Sequence, residues 1–264
     1  MAFKTPQEIV RTVESMGSAK ASLPLGKLLL LGFLAGAYIG LGGMLAQVVA
    51  GGMPEEFRKA YPGLWKLVFG GVFPVGLMLV VIAGSELFTG NTALMAPSTL
   101  SRATSGWALL RNWVWSFVGN FAGAVFVAFC LVYLTGVLAQ DPWLSCAREI
   151  AEKKIRQDFW PLFLKGVGCN WLVCLAVWLA VAADDVAGKI LAIWWPIMAF
   201  VAIGFEHSVA NMYFVPVGIY LGANVTWMDF LAKNLLPVTL GNIVGGAVFV
   251  GCFYAYLYGR TSKT

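Results

Sequence analysis

Charge is scarce in this 264-residue chain: 12% of its residues are Asp, Glu, Lys or Arg, while 59% are hydrophobic. A soluble domain carries about 25% charged residues, so this chain lacks the polar cover that a soluble core of its size needs. Histidine occurs once, at position 207, which excludes a haem enzyme with two histidine ligands. The five cysteines (Cys130, Cys146, Cys169, Cys174 and Cys252) include no Cys-x-x-Cys pair. Their number is odd and four lie in apolar runs, where cysteine acts as a small hydrophobe. Neither a disulfide framework nor a metal site is expected. Residues 1–22 have no continuous apolar core of the kind a cleavable signal peptide carries. The polar segments show no nucleophile–base pair, so the chain is not expected to be an enzyme or to hold a cofactor. A net charge of +5 would suggest nucleic acid in a soluble protein. Here the charges lie mainly at termini and in loops, where membrane lipid is the expected partner and nucleic acid is not.

What the chain does have is long apolar runs. A helix needs about 20 mostly apolar residues to cross the hydrocarbon, and six segments qualify: roughly 25–50, 64–83, 107–138, 159–183, 188–203 and 235–258. They predict an all-α, multi-pass membrane protein with a single domain over residues 1–264. Trp65, Trp107, Trp143, Trp160 and Tyr258 fall near span ends, as interfacial aromatics do. Ahead of the first span, Ile9, Val13 and Met16 recur at helical spacing. They predict an amphipathic helix over about 5–17 lying at the membrane surface. Lys4, Arg11, Lys20, Lys27, Arg260 and Lys263 make both termini basic, which favours a cytoplasmic location for both. Lys and Arg divide evenly between the two sides of this topology, so that rule does not decide alone.

Spans two and five are interrupted. Gly84-Ser85-Glu86-Leu87-Phe88-Thr89-Gly90-Asn91 breaks the second, and Gly204-Phe205-Glu206-His207-Ser208-Val209-Ala210-Asn211 breaks the fifth. Both read Gly, then Glu two residues on, then Asn five residues later, and the glutamates are 120 residues apart. Gly119-Asn120 and Gly241-Asn242 open a second matching pattern in spans three and six, each followed by Val-Phe-Val. The chain therefore reads as a duplication, with halves at approximately 25–138 and 159–258. Three spans per half force the second copy to insert upside down. Inverted repeats with broken helices in matching places recur among transporters. Non-helical backbone survives at membrane depth only where protein or water satisfies it, so the breaks are expected to face one another across a pore.

These segments also resemble the signatures of a known family. Ser85-Glu86-Leu87-Phe88-Thr89-Gly90-Asn91, the run from Asn170 to Trp178, the run from Gly204 to Met212, and Pro237-Val238-Thr239-Leu240-Gly241-Asn242 look like those of the formate/nitrite transporter family. The resemblance covers nearly the whole chain. It implies an aquaporin-like fold of six helices with helices two and five broken, assembled as a homopentamer with a pore in each subunit. It further implies a prokaryotic cytoplasmic membrane and a substrate among formate, nitrite, hydrosulfide and lactate, with formate favoured.

Several residues are candidates for the chemistry. His207 lies inside the second break, and imidazole is the side chain that titrates nearest neutral pH; it can give a small anion a hydrogen bond or a proton. The resemblance implies that His207 is the family's central histidine, that Asn170 faces the pore beside it, that Thr89 contacts the pore, and that Lys154 is a basic residue at the outer vestibule. For Asn170 the alternative is interhelical glue; for Lys154 it is a solvated loop charge, with Lys153 able to substitute. The resemblance also implies that Phe73, Leu77, Leu87, Phe88, Val173 and Phe200 form two apolar constrictions bracketing His207. Glu86 and Glu206 would repel an anion, so they read as structural, accepting hydrogen bonds from backbone N–H groups freed by the breaks; Asn91 and Asn211 read likewise. A small monovalent anion, with protons as co-traveller, is the expected cargo. An aquaporin-like channel for neutral solutes is the alternative, though its paired Asn-Pro-Ala signature is absent.

Overall fold

The computed structural model describes residues 3–259; Arg260 and Lys263 lie outside the described residues. Its ten principal helices fall into two series of five. The first is α1 (Pro6–Ala21), α2 (Leu25–Gly51), α3 (Pro62–Gly84), α4 (Phe88–Leu100) and α5 (Gly106–Tyr133). The second is α6 (Trp143–Ile155), α7 (Phe159–Ala182), α8 (Val186–Ile203), α9 (Ser208–Tyr220) and α10 (Trp227–Tyr258). Helices α2, α3, α5, α7, α8 and α10 are long and apolar enough to cross a membrane. In each series a polar-faced helix precedes a span, then a span broken into two helices, then a further span.

The expected amphipathic helix is present and longer than its periodicity indicated. Thr5 and Glu8 form a reciprocal cap at its start, with Pro6 at the first helical position. Its apolar face does not lie against lipid: Ile9, Val10 and Val13 are buried within the subunit. Gly17 is the closest approach, where a Cβ would meet Ser98 Oγ and the Leu94 carbonyl of α4.

Two other boundaries differ from expectation. The third crossing stops at Tyr133, and Gly136 turns the chain with φ +72°. The sixth begins at Trp227, several residues early. Asp229, Lys233 and Asn234 make that segment look like a loop in sequence. In the fold Asp229 closes a capping box with Thr226 and pairs with Lys233 one turn on, while Asn234 is fully buried.

The spans meet backbone to backbone. Gly32 lies against Gly119, Gly36 against the Asn120 carbonyl, and Gly40 against Val127. The small-residue stripe of α2 thus serves α2–α5 packing inside one subunit. Gly166 and Gly241 play the same part between α7 and α10. Gly36→Leu is therefore predicted to abolish folded, monodisperse protein on detergent size-exclusion. Gly71→Ala, where a Cβ would have open space, should leave the melting temperature within a few degrees of wild type.

Candidate functional site

Both breaks begin at a glycine with positive φ: +86° at Gly84 and +89° at Gly204. Glycine adopts this left-handed geometry without the Cβ penalty. The chain then runs extended before α4 and α9 start. The backbone groups released at each break are claimed by matching partners. Asn120 Oδ1 accepts from the Phe88 N–H at 2.8 Å, and its amide donates to the Gly32 and Glu86 carbonyls. In the second half Asn242 Oδ1 accepts from the Ser208 N–H at 2.8 Å, and its Nδ2 donates to the Gly166 and Glu206 carbonyls. The Glu86 and Glu206 N–H groups donate to the carbonyls of Leu31 and Lys165.

The two carboxylates find different partners from those expected. Glu86 accepts from the amides of Asn91 and Asn112 and pairs with Lys20. Glu206 accepts from the Asn211 amide at 2.7 Å and pairs with Lys154 at 2.8 Å. Asn211 in turn donates to Asn234, as Asn91 does to Asn112. Side chains, not freed N–H groups, neutralise these buried charges. Lys154 thus occupies the position in its series that Lys20 occupies in the first, and the amides of Asn112 and Asn234 reach the carbonyls of those lysines. Asn112 and Asn234 were not foreseen. Their signal was present, since each precedes a repeated asparagine by eight residues.

Two cavities enter the subunit from opposite ends. The α6-side cavity is lined by Phe73, Phe200, Phe214, Lys154, Glu206 and His207, among others. The α1-side cavity is lined by Lys20, Leu77, Val80, Glu86, Leu87 and Val177, among others. Phe73 and Leu77 sit about one turn apart on α3 yet line different cavities, so the two cavities approach each other across a septum there. At the septum Thr89 Oγ1 lies 2.9 Å from His207 Nε2. His207 Nδ1 accepts the Ala210 N–H at 3.0 Å and caps α9. That bond assigns the ring hydrogen of a neutral imidazole to Nε2, towards Thr89. Phe200 stacks on His207 with centroids 5.9 Å apart, and Phe73 meets Phe200 edge-on at 6.0 Å.

Four expected lining residues line neither cavity, and Thr89, fully buried behind His207, is one of them. Asn170 lines neither cavity; its amide reaches the carbonyls of Thr89 and Asn242 and the Thr92 hydroxyl, so it ties the first break to α10 as interhelical glue. Phe88 packs edge-on against Phe117 and Trp113 of α5, because the first turn of α4 directs it away from the septum. Val173 is 1% exposed and lines neither cavity. Cys174 is more than a small hydrophobe: its Sγ donates to the Thr89 carbonyl, which also accepts from Thr92 Oγ1 at 2.6 Å. Three side chains thus hold the backbone of Thr89 in place.

A chain with two cavities meeting at a septum inside a six-span bundle, its two series of helices broken at matching places, is a membrane transport protein. The model of the formate/nitrite transporter family matches residues 7–256. A probable formate transporter of Methanothermobacter thermautotrophicus is 55% identical over 276 residues, covering 97% of this chain and 98% of the relative. A solved structure described as an FNT family ion channel superposes with a TM-score of 0.86 at 35% identity, over 95% of this chain and 98% of that one. Another, described as a pentameric formate channel with formate bound, gives 0.77 at 34% identity, over 89% and 98%. The chain belongs to the formate/nitrite transporter family.

The carboxylate network yields a test of its own. Lys20→Met leaves the largely buried Glu86 without its ion-pair partner, a change that costs about 3–5 kcal/mol. Adding Glu86→Gln to that variant should recover more than half of the lost thermal stability in detergent. No recovery would show that Lys20 contributes packing, not charge.

Proposed function

We propose that the protein carries formate across the membrane, as the anion in the cavities and as the neutral acid through the septum. The observation that carries this reading is the Thr89–His207 contact, the polar point between the cavities, with Phe73 and Phe200 on one side and Leu77 and Leu87 on the other. A hydroxyl and an imidazole Nε2–H suit a carboxylate of a few atoms. The apolar collars oppose passage of that carboxylate while charged. Stripping water from a carboxylate favours its protonated form, so the anion takes a proton that His207 relays from the water of the entry-side cavity, and crosses uncharged. Names carried by the relatives support formate over nitrite, hydrosulfide or lactate.

The roles of the site residues follow. His207 and Thr89 hold the substrate at the septum. Asn170 positions Thr89 through its backbone. Lys154 keeps Glu206 compensated where the anion enters. Glu86, Asn91, Glu206 and Asn211 hold the breaks in shape. A homopentamer with one path per subunit is supported by the similar pentameric channel and by the apolar side chains that the lone subunit exposes, such as Trp107, Leu110 and Val114. Residues of α1 and the end of α10 share a wall near Arg11 and Tyr256. This arrangement supports both termini on one side, and the basic residues near them favour the cytoplasmic side of the membrane.

His207→Asn tests the scheme in proteoliposomes. It keeps a hydrogen-bonding group and removes the titratable ring. Formate uptake should lose its dependence on an inward proton gradient, and the residual flux should carry current. Unchanged rate and proton dependence would assign His207 a packing role. Sulfate or phosphate transport at comparable rates would contradict the proposed small monovalent cargo.

A further inference from the structure

Spans α2 and α7 stand in matching places, since Asn120 donates to the Gly32 carbonyl and Asn242 to the Gly166 carbonyl. Four and eight residues past those carbonyls, α2 has Gly36 and Gly40, whereas α7 has Asn170 and Cys174. The two glycines let α2 rest on the Asn120 carbonyl and Val127 of α5. On α7 the same positions carry side chains, and α10 makes the room for them. A Cβ on Gly246 of α10 would collide with Thr92 Oγ1, Asn170 Nδ2 and Cys174 Sγ. Three side chains from α4 and α7 thus fill one recess against the α10 backbone. Six residues after the break glutamate, Thr92 stands in the first series where the second has Met212. The first series closes on glycine alone, so helix packing does not by itself call for this polar set. It occurs where it meets Thr89.

We infer that Thr92 and Cys174 are positioning residues for transport: through the Thr89 carbonyl and the Asn170 amide they set where the Thr89 hydroxyl meets His207. Thr92 Oγ1 donates to the Thr89 carbonyl at 2.6 Å and accepts from Asn170 Nδ2 at 3.0 Å. Asn170 Nδ2 also reaches the Thr89 carbonyl at 3.1 Å and the Asn242 carbonyl at 2.6 Å. Cys174 Sγ lies 3.3 Å from the Thr89 carbonyl oxygen and 3.6 Å from Asn170 Oδ1. Among the described residues no other donor reaches Asn170 Oδ1, so the thiol fixes which end of that amide faces Thr89. Asn242 in turn accepts from the N–H of Ser208, the residue after His207. The bonds therefore run from Thr89 through Asn170 and Asn242 to the second break. They hold both partners of the 2.9 Å Thr89–His207 contact in one frame. Loosening the Thr89 backbone shifts its hydroxyl from the imidazole edge that serves the substrate, and small misplacements at such a point are costly.

The assignment rests on formate crossing at the Thr89–His207 contact, and its test separates the two claims. Formate uptake into proteoliposomes is measured across substrate concentrations for Thr92→Val, Thr92→Ser, Cys174→Val and Cys174→Ser, with the melting temperature of each in detergent. Valine keeps similar bulk and removes the donor; serine keeps a donor. Each Val variant should melt within a few degrees of wild type. It should nevertheless raise the half-saturating formate concentration roughly threefold and lower sub-saturating flux roughly tenfold. Each Ser variant should recover more than half of the wild-type flux. If one Val variant does not fold, the other position decides. A saturating rate that falls with the half-saturating concentration unchanged would mean lost folded protein, and would overturn the positioning role. Wild-type kinetics in the Val variants, or Ser variants as impaired as Val variants, would overturn it too. A wild type that passes no formate would instead overturn the reading of the path.

Discussion

Everything in this fold depends on satisfying peptide groups where two helices stop inside the hydrocarbon. Water is absent there, and each unpaired N–H or C=O costs several kcal/mol. Two asparagines solve the problem in the same way. Asn120 and Asn242 each accept from the first N–H after a break and donate to the carbonyl of the break glutamate and to a carbonyl on a neighbouring span. A single amide therefore ties three elements together. The buried glutamates then require cations, which the polar-faced helices α1 and α6 bring as Lys20 and Lys154. The amphipathic helices are thus parts of the charge balance of the membrane interior.

Function enters through departures from that symmetry. The residue after the break glutamate is Leu87 in the first half and His207 in the second. One supplies an apolar wall, the other the imidazole. Two positions on, the first half has Thr89 and the second Val209, so the hydroxyl that meets His207 comes from the opposite repeat. A near-symmetric scaffold holds an asymmetric pair at the septum. The backbone of Thr89 is held by Thr92, Asn170 and Cys174, and His207 by its cap on α9.

The spans and the two breaks were legible because each leaves a local signal: an apolar run, or a glycine beside a carboxylate. What escaped the sequence was pairing across distance. Lys20 lies 66 residues from Glu86, and Lys154 lies 52 from Glu206; no periodicity links either pair. Side-chain direction escaped as well. Phe88 and Leu87 are neighbours, yet one packs on α5 and the other lines a cavity, because the chain passes from extended to helical between them. Asn170 sits at the right depth for a pore residue, but its amide is committed to backbone carbonyls. Charges at Asp229 and Lys233 disguised the start of α10, since an i, i+4 pair reads in sequence as loop polarity.

The central claim is that the septum passes a neutral acid. The most direct measurement is simultaneous recording of formate entry, lumenal pH and membrane current in proteoliposomes of the wild-type protein with no imposed voltage. The account predicts one proton delivered to the lumen for each formate and no net current. A full anion current with no lumenal acidification would contradict it, and would leave His207 as a hydrogen-bond donor to a charged traveller.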